Sequence, residues 1–307
     1  MFQKKLLIFA TLVASLVLTA SVCAQNVRAF ATPEEAIQAL VAALRAPTTQ
    51  PLEELFGRAI LENVPPEERR SDADRRAAGE RLAEQTVKIV YDNGDRTRAR
   101  AIVGEENFRL PTPLVRSDQG WIFDGAAGVA EMTERRIDVN EGNAIRALQA
   151  LARAQDFYRQ ADRDGSGVLH YAARIRGTDG KLDGLVNPDD ASVPGPATSL
   201  LNQALGRAEG KPGDPDHHPA GGYGYAILTA QGPHAEGGAR DLLVNGNLVD
   251  GYAVIAWPTR PGVTGNSTFI MSQEGVVYEQ EFGDETLEAV RKLTAFDPDD
   301  NWSPVEE

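Results

Sequence analysis

The segment from Gly125 to Asp164 constrains the fold of this chain more than any other. Between Val129 and Ala161 it has no proline, and its only glycine is Gly142. Its apolar residues recur mostly at steps of three and four, the spacing of one face of an α-helix. They are Ile137, Ala144, Leu148, Leu151, Ala154 and Tyr158. The sequence therefore predicts one long central helix, with a mixed region before it and a strand-rich region after it.

The region before this helix has the pattern of a small α+β domain. Thr32 precedes Pro33, and Glu35 lies three residues after Thr32, which is typical of a helix N-terminus. Two further short helices are predicted at residues 51–57 and 71–85. Alternating residues from 87 onward and the turn Asp92–Asp95 then indicate a β-hairpin, with more short strands up to residue 123. Helices followed by a small antiparallel meander predict an α+β domain over residues 25–125.

The region after the helix is rich in predicted strands. The strands are expected at residues 223–228, 251–258, 267–271 and 276–280, and short helices at residues 199–206 and 287–294. We expect these strands to form an antiparallel sheet that packs against the long helix. Residues 126–307 are therefore predicted to be a second domain, and the fold class as a whole is α+β.

The first 24 residues have the pattern of a secretory signal peptide. Lys4 and Lys5 are followed by an apolar run to Leu18 and by the small-residue site Val22–Ala24. A transmembrane anchor is an alternative, but the run is short for the roughly 20 residues that span a bilayer. A lipoprotein modified at Cys23 is another, although the bulky Val22 fits poorly before a lipidated cysteine. We expect cleavage after Ala24 and a periplasmic or secreted protein.

Removal of this peptide changes the chemistry of the mature chain. Cys23 is the only cysteine, so no disulfide is expected in the mature protein. Loss of Lys4 and Lys5 takes the formal net charge from −14 to −16. A surface this acidic repels nucleic acid and anionic lipid. No other segment is expected to span a membrane, because none is apolar enough. The expected partner is an envelope protein or a small ligand.

The turn after the long helix is the best candidate for a metal site. Residues 162–167 read Asp-Arg-Asp-Gly-Ser-Gly, which resembles the front of a calcium loop, where alternate oxygens surround the ion. The candidate ligands are Asp162, Asp164, Ser166, the carbonyl of Val168 and His170. The twelfth position is Ala173, not the bidentate glutamate of an EF-hand. The alternative is a helix end followed by a turn, in which Asp and Gly are common.

Other chemistry-bearing residues give weaker patterns. His217 and His218 lie beside Asp214 and Asp216 and offer ligands for a transition metal, but a solvated loop explains them as well. His170 and His234 are isolated, and no serine lies in a Gly-x-Ser-x-Gly or Ser-x-x-Lys motif. Five aromatic residues in predicted strands are interpreted as core side chains, with a ligand surface as the alternative. They are Tyr223, Tyr225, Tyr252, Trp257 and Tyr278.

Several motifs together resemble an exported bacterial family known as domain of unknown function 2950. They are Asn140–Glu141, Ala144–Ile145, Ala154–Gln155, Tyr158, Asp162–Gly167, Gly184–Leu185, Gly222–Tyr225, Ile227–Pro233, Gly251–Ala253, Ala256–Pro258, Gly262, Thr264, Gly265, Phe269–Ile270, Gly275–Glu279 and Phe296–Pro298. The resemblance covers nearly the whole mature chain. It implies export and a shared fold, and it implies no particular activity.

A second resemblance concerns architecture. A helix with these motifs, followed by a loop and an antiparallel sheet, is similar to the globular half of type IV pilins and pseudopilins. Pilin helices begin with an apolar stalk, whereas residues 131–136 here are mostly charged and no prepilin-type cleavage site precedes them. The resemblance therefore implies a pilin-like domain and gives no support for filament assembly.

From these observations we expect an exported, non-enzymatic binding or assembly module, with no cofactor other than a possible calcium ion. One alternative is an enzyme whose site lies in a cleft between the two modules, with Asp162, Asp164 and Asp183 near His170. Another is a structural protein that calcium stabilises. A compact group of these side chains favours the enzyme, and their scatter over the surface favours the binding module.

Overall fold

The computed structural model describes residues 27–62, 64, 71–92, 94, 96–178, 182–186 and 222–306. It contains helices and antiparallel sheets, so the predicted α+β class is confirmed. The chain divides into two compact units, and the boundary between Val129 and Ala130 falls inside the long helix. The predicted helix at residues 199–206 and the histidine pair at 217–218 lie outside the described residues.

The first unit begins with four helices and continues with a meander of short strands. The helices are α1 (Pro33–Arg45), α2 (Gln50–Phe56), α3 (Arg58–Glu62) and α4 (Asp72–Glu84). The strands are β1 (Val87–Tyr91), β2 (Arg98–Val103), β3 (Phe108–Arg109), β4 (Leu114–Ser117) and β5 (Gly120–Phe123). The predicted cap of α1 is confirmed, because the hydroxyl of Thr32 accepts a hydrogen bond from the amide of Glu35 at 3.2 Å.

The sheet of the first unit has the strand order β1-β2-β4-β5, and β3 pairs with the far end of β2. The predicted hairpin is confirmed by the antiparallel register that places Ile89 opposite Ala101. The helices and the sheet share one core, which includes Leu40, Leu55, Leu114 and Trp121. This unit therefore has an apolar core of its own.

The second unit contains the predicted long helix, α5 (Gly125–Tyr158), for most of its length. All six residues of the predicted apolar face are buried, so the spacing argument is confirmed. The strands are β6 (Tyr223–Leu228), β7 (Ala230–Gln231), β8 (Arg240–Asp241), β9 (Leu243–Val244), β10 (Asn247–Leu248), β11 (Ala253–Pro258), β12 (Ser267–Ser272), β13 (Val277–Glu281) and β14 (Ser303–Pro304). A short helix, α6 (Thr286–Lys292), follows β13.

Five of these strands form an antiparallel sheet in the order β14-β13-β12-β11-β6. Val254 and Ala256 of the interior strand β11 share a core cluster with Leu148 and Leu151 of α5. The alternate residues Ile255 and Trp257 share a second cluster with Val290 of α6. Both faces of the sheet are therefore covered, which explains why every residue of β11 is buried.

Hydrogen bonds tie α5 to the loops that follow it. The side-chain amide of Gln155, fully buried, donates to the carbonyl of Ala172 and accepts from its amide, both at 2.8 Å. The carboxylate of Glu141 accepts from the amides of Asn266 at 2.8 Å and Ser267 at 3.1 Å. These bonds satisfy backbone groups of Ala172, Asn266 and Ser267.

The aromatic residues singled out in the predicted strands belong to the core, as expected. Tyr223, Tyr225, Tyr252 and Trp257 are buried, whereas Tyr278 is only partly buried. Among the described residues, no helix combines the length and the apolar character that a membrane crossing requires.

Candidate functional site

The turn after α5 is held closed by its own carboxylates. Asp162 accepts hydrogen bonds from the amides of Ser166 at 3.0 Å and Gly167 at 2.9 Å. One oxygen of Asp164 accepts from the amide of Ser166 at 3.1 Å, and the other lies 3.2 Å from Nε2 of His170. All four carboxylate oxygens are therefore engaged within the turn. Gly165 and Gly167 have φ of 75° and 78°, which glycine adopts without strain.

His170, by contrast with its isolated position in the sequence, is buried with both ring nitrogens engaged. Nδ1 lies 2.8 Å from the carbonyl oxygen of Tyr171, which only accepts hydrogen bonds. Nε2 lies toward the carboxylate of Asp164, so both ring nitrogens face oxygen acceptors. Burial on its own would raise the pKa of Asp164, but the hydrogen bonds from His170 and Ser166 outweigh it and lower that pKa.

Asp183, the other carboxylate of the predicted site, is bound locally. It accepts from the amide of Thr178 at 2.6 Å and from its hydroxyl at 2.8 Å. Tyr158 donates its hydroxyl to the carbonyl of Leu182 at 2.9 Å. Burial, with the charges of Asp164 and Asp183, raises the pKa of Tyr158 to about 12. The structure thus gathers Asp162, Asp164 and His170 in one turn, with Asp183 near enough to act on the same tyrosine.

The metal prediction is not supported by a convergent ligand set. In the described part of the chain, no three His, Cys, Asp or Glu side chains form a group that could hold a metal ion. The hydroxyl of Ser166 donates to the carbonyl of Val168 at 3.3 Å, so two of the candidate calcium ligands contact each other. Calcium binding at Asp162, Asp164 and Ser166 stays a prediction.

A different region of the second unit has the shape of a ligand site. It is a cleft of about 560 Å³. Its apolar lining comes from Ala235, Leu242, Val276, Tyr278, Phe296 and Pro298. Its charged lining comes from His234, Glu236, Arg240, Asp250 and Glu274. The cleft therefore offers apolar surface together with charges of both signs.

One part of the cleft is the hairpin formed by β7 and β8. The side-chain amide of Gln231 donates to the carbonyls of Glu236 and Gly238, both at 2.7 Å. Gln231 also pairs with Arg240 across the two strands. These contacts fix the loop between the strands, which carries the cleft residues from 234 to 240.

A second part of the cleft lies where β11 begins and β12 ends. The register places Ala253 of β11 opposite Ser272 of β12, and the amide of Gln273 donates to the carbonyl of Tyr252 at 3.1 Å. Asp250 and Glu274 flank this same end of the two strands. Gly251 has a φ of 130°, and a Cβ there would lie 2.7 Å from the side-chain oxygen of Gln273. The positive φ favours glycine here, whereas the exposed end of the Gln273 side chain can move away from a Cβ.

His234 is oriented at the cleft by Asp297. One oxygen of Asp297 accepts from the backbone amide of His234 at 2.8 Å, and both oxygens lie 3.1 Å from Nδ1. The hydrogen bond that His234 donates to Asp297, together with the charge of Asp297, raises the pKa of His234. A Cβ at Gly232 would lie 2.2 Å from the carboxyl carbon of Asp297, so the pair depends on glycine there. Because Nδ1 donates to Asp297, Nε2 is the nitrogen left for other chemistry.

Arg240 is exposed, and its guanidinium makes no hydrogen bond or ion pair with any residue that the structure describes. No pattern in the sequence indicates that Arg240, Asp250 and Glu274 line one site. The pairing of His234 with Asp297 spans 63 residues, and no local sequence pattern indicates it either. Two signals did point to the region. Motifs of the family resemblance contain cleft residues, and the aromatic set with a ligand surface as its alternative includes Tyr252 and Tyr278.

The first unit has a smaller and more apolar groove of about 400 Å³ between α1, α4 and β1. Ile37, Val41, Leu82, Val87 and Ile89 line it, together with Glu34, Gln38, Ala83 and Gln85. Glu34 is the charged residue of this lining, which contains no histidine, arginine or lysine, so the groove lacks the cationic groups found in the cleft of the second unit.

Comparison with known proteins gives a family and no activity. The model of a family described as protein of unknown function (DUF2950) matches residues 27–305. No curated protein and no solved structure gives a significant match. The matched range includes nearly all of both compact units. The chain therefore belongs to the DUF2950 family of proteins of unknown function.

Proposed function

We propose that this is an exported envelope protein, periplasmic or secreted, whose second unit binds a small polar ligand in the cleft beside His234. The observation that carries the proposal is the cleft itself. Its volume of about 560 Å³ lies within the roughly 300–1,000 Å³ of small-molecule sites. Its lining is more polar than that of most such sites, and it combines apolar side chains with charged groups that can fix the orientation of a ligand.

The construction of the cleft supports a binding role. Its residues lie on the braced β7–β8 hairpin and on the ends of β11 and β12, which belong to a sheet covered on both faces. Sites on such rigid elements hold their groups in place before a ligand arrives, which lowers the entropic cost of binding.

Export is the second part of the proposal. It rests on the signal-peptide pattern of residues 1–24, with cleavage after Ala24. The mass of the N-terminal peptide of the protein recovered from the periplasm or medium tests it, since a mature chain beginning at Gln25 is expected. A chain that retains Met1 and stays with the cytoplasm would contradict export.

A pilin-like arrangement of the second unit is the architectural part of the proposal. It is supported by the single long helix α5, which packs along one face of an antiparallel sheet. The comparison covers this helix-on-sheet layout alone, and no role in a filament follows from it.

Thermal unfolding of the chain from Gln25 to Glu307 tests ligand binding. The midpoint is measured with a panel of amino acids, dipeptides, sugars and dicarboxylic acids at millimolar concentration. A compound that binds the folded state raises the midpoint by mass action. Val276→Trp places an indole in the cleft and should abolish that rise. Val139→Trp, on an exposed residue of α5, is the matched control and should retain it. A rise that survives Val276→Trp would contradict binding in the cleft.

An enzyme is the second candidate function, favoured by the orientation of His234. With Nδ1 bound to Asp297, neutral His234 presents the lone pair of Nε2 as a general base. In ester hydrolysis, Nε2 would take a proton from the water that attacks the carbonyl carbon. It would return that proton to the alcohol oxygen as the carbon–oxygen bond breaks. We expect the parent protein to hydrolyse p-nitrophenyl acetate. Asp297→Asn should slow this hydrolysis, and His234→Gln should abolish it. Equal rates in all three proteins would exclude this candidate.

A further inference from the structure

The charged groups of the cleft come from two different structural elements. Arg240 and His234 lie on the β7–β8 hairpin, whereas Asp250 and Glu274 flank the shared end of β11 and β12. Glu236 also lies on the hairpin, so the separation of sign is incomplete. The cleft nevertheless contains cationic and anionic groups on elements that the fold fixes independently.

The charged groups named above that face the cleft form few contacts with other described residues of the protein. In the part of the chain that the structure describes, Arg240 has no hydrogen bond or ion pair and Nε2 of His234 has no hydrogen-bond partner. Neither Asp250 nor Glu274 forms an ion pair with a described residue, and the only contact of the Glu274 carboxylate is a 3.5 Å approach of the Gln273 amide. A guanidinium binds a carboxylate through two parallel hydrogen bonds, and carboxylates bind an ammonium group equally directly.

We propose that the cleft binds a zwitterionic ligand, a free amino acid or a short peptide with both ends free, through Arg240 at its carboxylate and Asp250 and Glu274 at its ammonium group. This inference rests on the proposed function and names the ligand class. The apolar groups Val276, Tyr278 and Phe296 line the same space and would contact the side chain of the ligand. A ligand with only a negative or only a positive charge would leave either the anionic or the cationic groups of the cleft unpaired.

Calorimetric titration of the chain from Gln25 to Glu307 with leucine and with leucyl-leucine tests the proposal. The same dipeptide is titrated with its carboxylate amidated and with its amino group acetylated. Each modification removes one charge and should weaken binding about tenfold or more, because a charge-assisted hydrogen bond is lost. The affinities for leucine and for the dipeptide are compared to show which ligand length the cleft prefers.

Variants connect each end of the ligand to its residue. In Arg240→Gln, free and amidated dipeptide should bind equally. In the double variant Asp250→Asn with Glu274→Gln, free and acetylated dipeptide should bind equally. Arg153→Gln and Asp138→Asn change exposed charges elsewhere on α5 and should behave as the parent. Far-ultraviolet circular dichroism of each variant verifies that it is folded.

The outcomes separate the ligand class from the proposed function. The ligand class is wrong if neither leucine nor the dipeptide binds, if blocking either end leaves affinity unchanged, or if Arg240→Gln still prefers the free acid. The proposed function survives any of these results if another compound of the panel binds the parent and fails to bind Val276→Trp. The proposed function is also wrong only if no compound of the panel binds the parent protein better than it binds Val276→Trp.

Discussion

His234 and Asp297 lie 63 residues apart in the chain, yet the carboxylate of Asp297 meets both the backbone amide and Nδ1 of His234. The contact joins the loop after β7 to the segment that follows α6. The amide of Gly232 strengthens this junction by donating to the carbonyl of Phe296 at 2.8 Å. The orientation of the cleft histidine therefore depends on a residue far away in sequence.

The first prediction concerns the protonation of His234. Asp297→Asn removes the negative charge and leaves a neutral amide oxygen, a weaker acceptor than the carboxylate, so the pKa of His234 should fall toward its usual value of about 6.5. An NMR titration of the Cε1 proton measures it. A His234 pKa that does not change in the variant would show that Asp297 is not the cause.

The same pair predicts a direction for stability against pH. Because the pKa of His234 is raised in the folded state, the stabilisation is fully present below the unfolded pKa and is lost as pH rises through the raised value. The stability difference between the parent and Asp297→Asn should therefore shrink as pH increases across that window. The residue is exposed, so the change should be small.

The long helix and the main strands follow from the sequence because their signals are local. Apolar spacing alone located α5, and all six residues of its predicted face are buried. The strand β11 is a continuous apolar run, and β12 contains the apolar run Phe269–Met271, so both are visible without any knowledge of their neighbours. A local sequence pattern is sufficient to predict a helix or strand where many consecutive residues share one environment.

The cleft did not follow from the sequence because its residues share no local pattern. The strands β7 to β10 have two residues each, too few for an alternation to be recognised. Arg240, Asp250 and Glu274 line one cleft but come from separate segments of the chain. The predicted turn at Asp162 was the reverse case, since its residues are close in sequence and bind mainly one another.

A second prediction compares two glycines. In Gly232→Ala the new methyl group would lie 2.2 Å from the carboxyl carbon of Asp297, so we expect a loss of about 1–3 kcal/mol from displacement of the pair. In Gly142→Ala, inside α5, the methyl group meets only an arginine end at 3.5 Å. That variant should gain about 0.5–1 kcal/mol from helix propensity. Urea unfolding measures both, and equal effects of the two substitutions would contradict the role of Gly232.

A third prediction concerns the buried amide of Gln155. Gln155→Ala leaves the amide and carbonyl of Ala172 without their partner in the core, which should cost about 2–5 kcal/mol. Gln149→Ala, on the exposed side of the same helix, is the control and should change stability by less than about 0.5 kcal/mol. A loss at Gln155 no larger than at Gln149 would mean that water replaces both bonds without cost.

A fourth prediction separates the two interpretations of the Asp162 turn. Asp162→Ala removes acceptors for the amides of Ser166 and Gly167, so stability should fall by about 1–2 kcal/mol even in chelator. Thermal unfolding with and without millimolar calcium is then compared in the parent, Asp162→Ala and Asp164→Ala. A calcium-dependent rise confined to the parent would establish the calcium site. A fall in chelator with no calcium effect in any of them would leave a structural turn.

The most direct test of ligand binding in the second unit is an amide NMR titration of the chain from Gln25 to Glu307. The compound added is the one that raises the unfolding midpoint most. Saturable shifts are expected at residues 231–240, 250–252 and 272–276, which form the cleft. Shifts centred instead on Ile37, Val41 and Leu82, in the groove of the first unit, would contradict the proposal. Equally, a titration that reaches millimolar compound without saturation would leave the cleft without its proposed function.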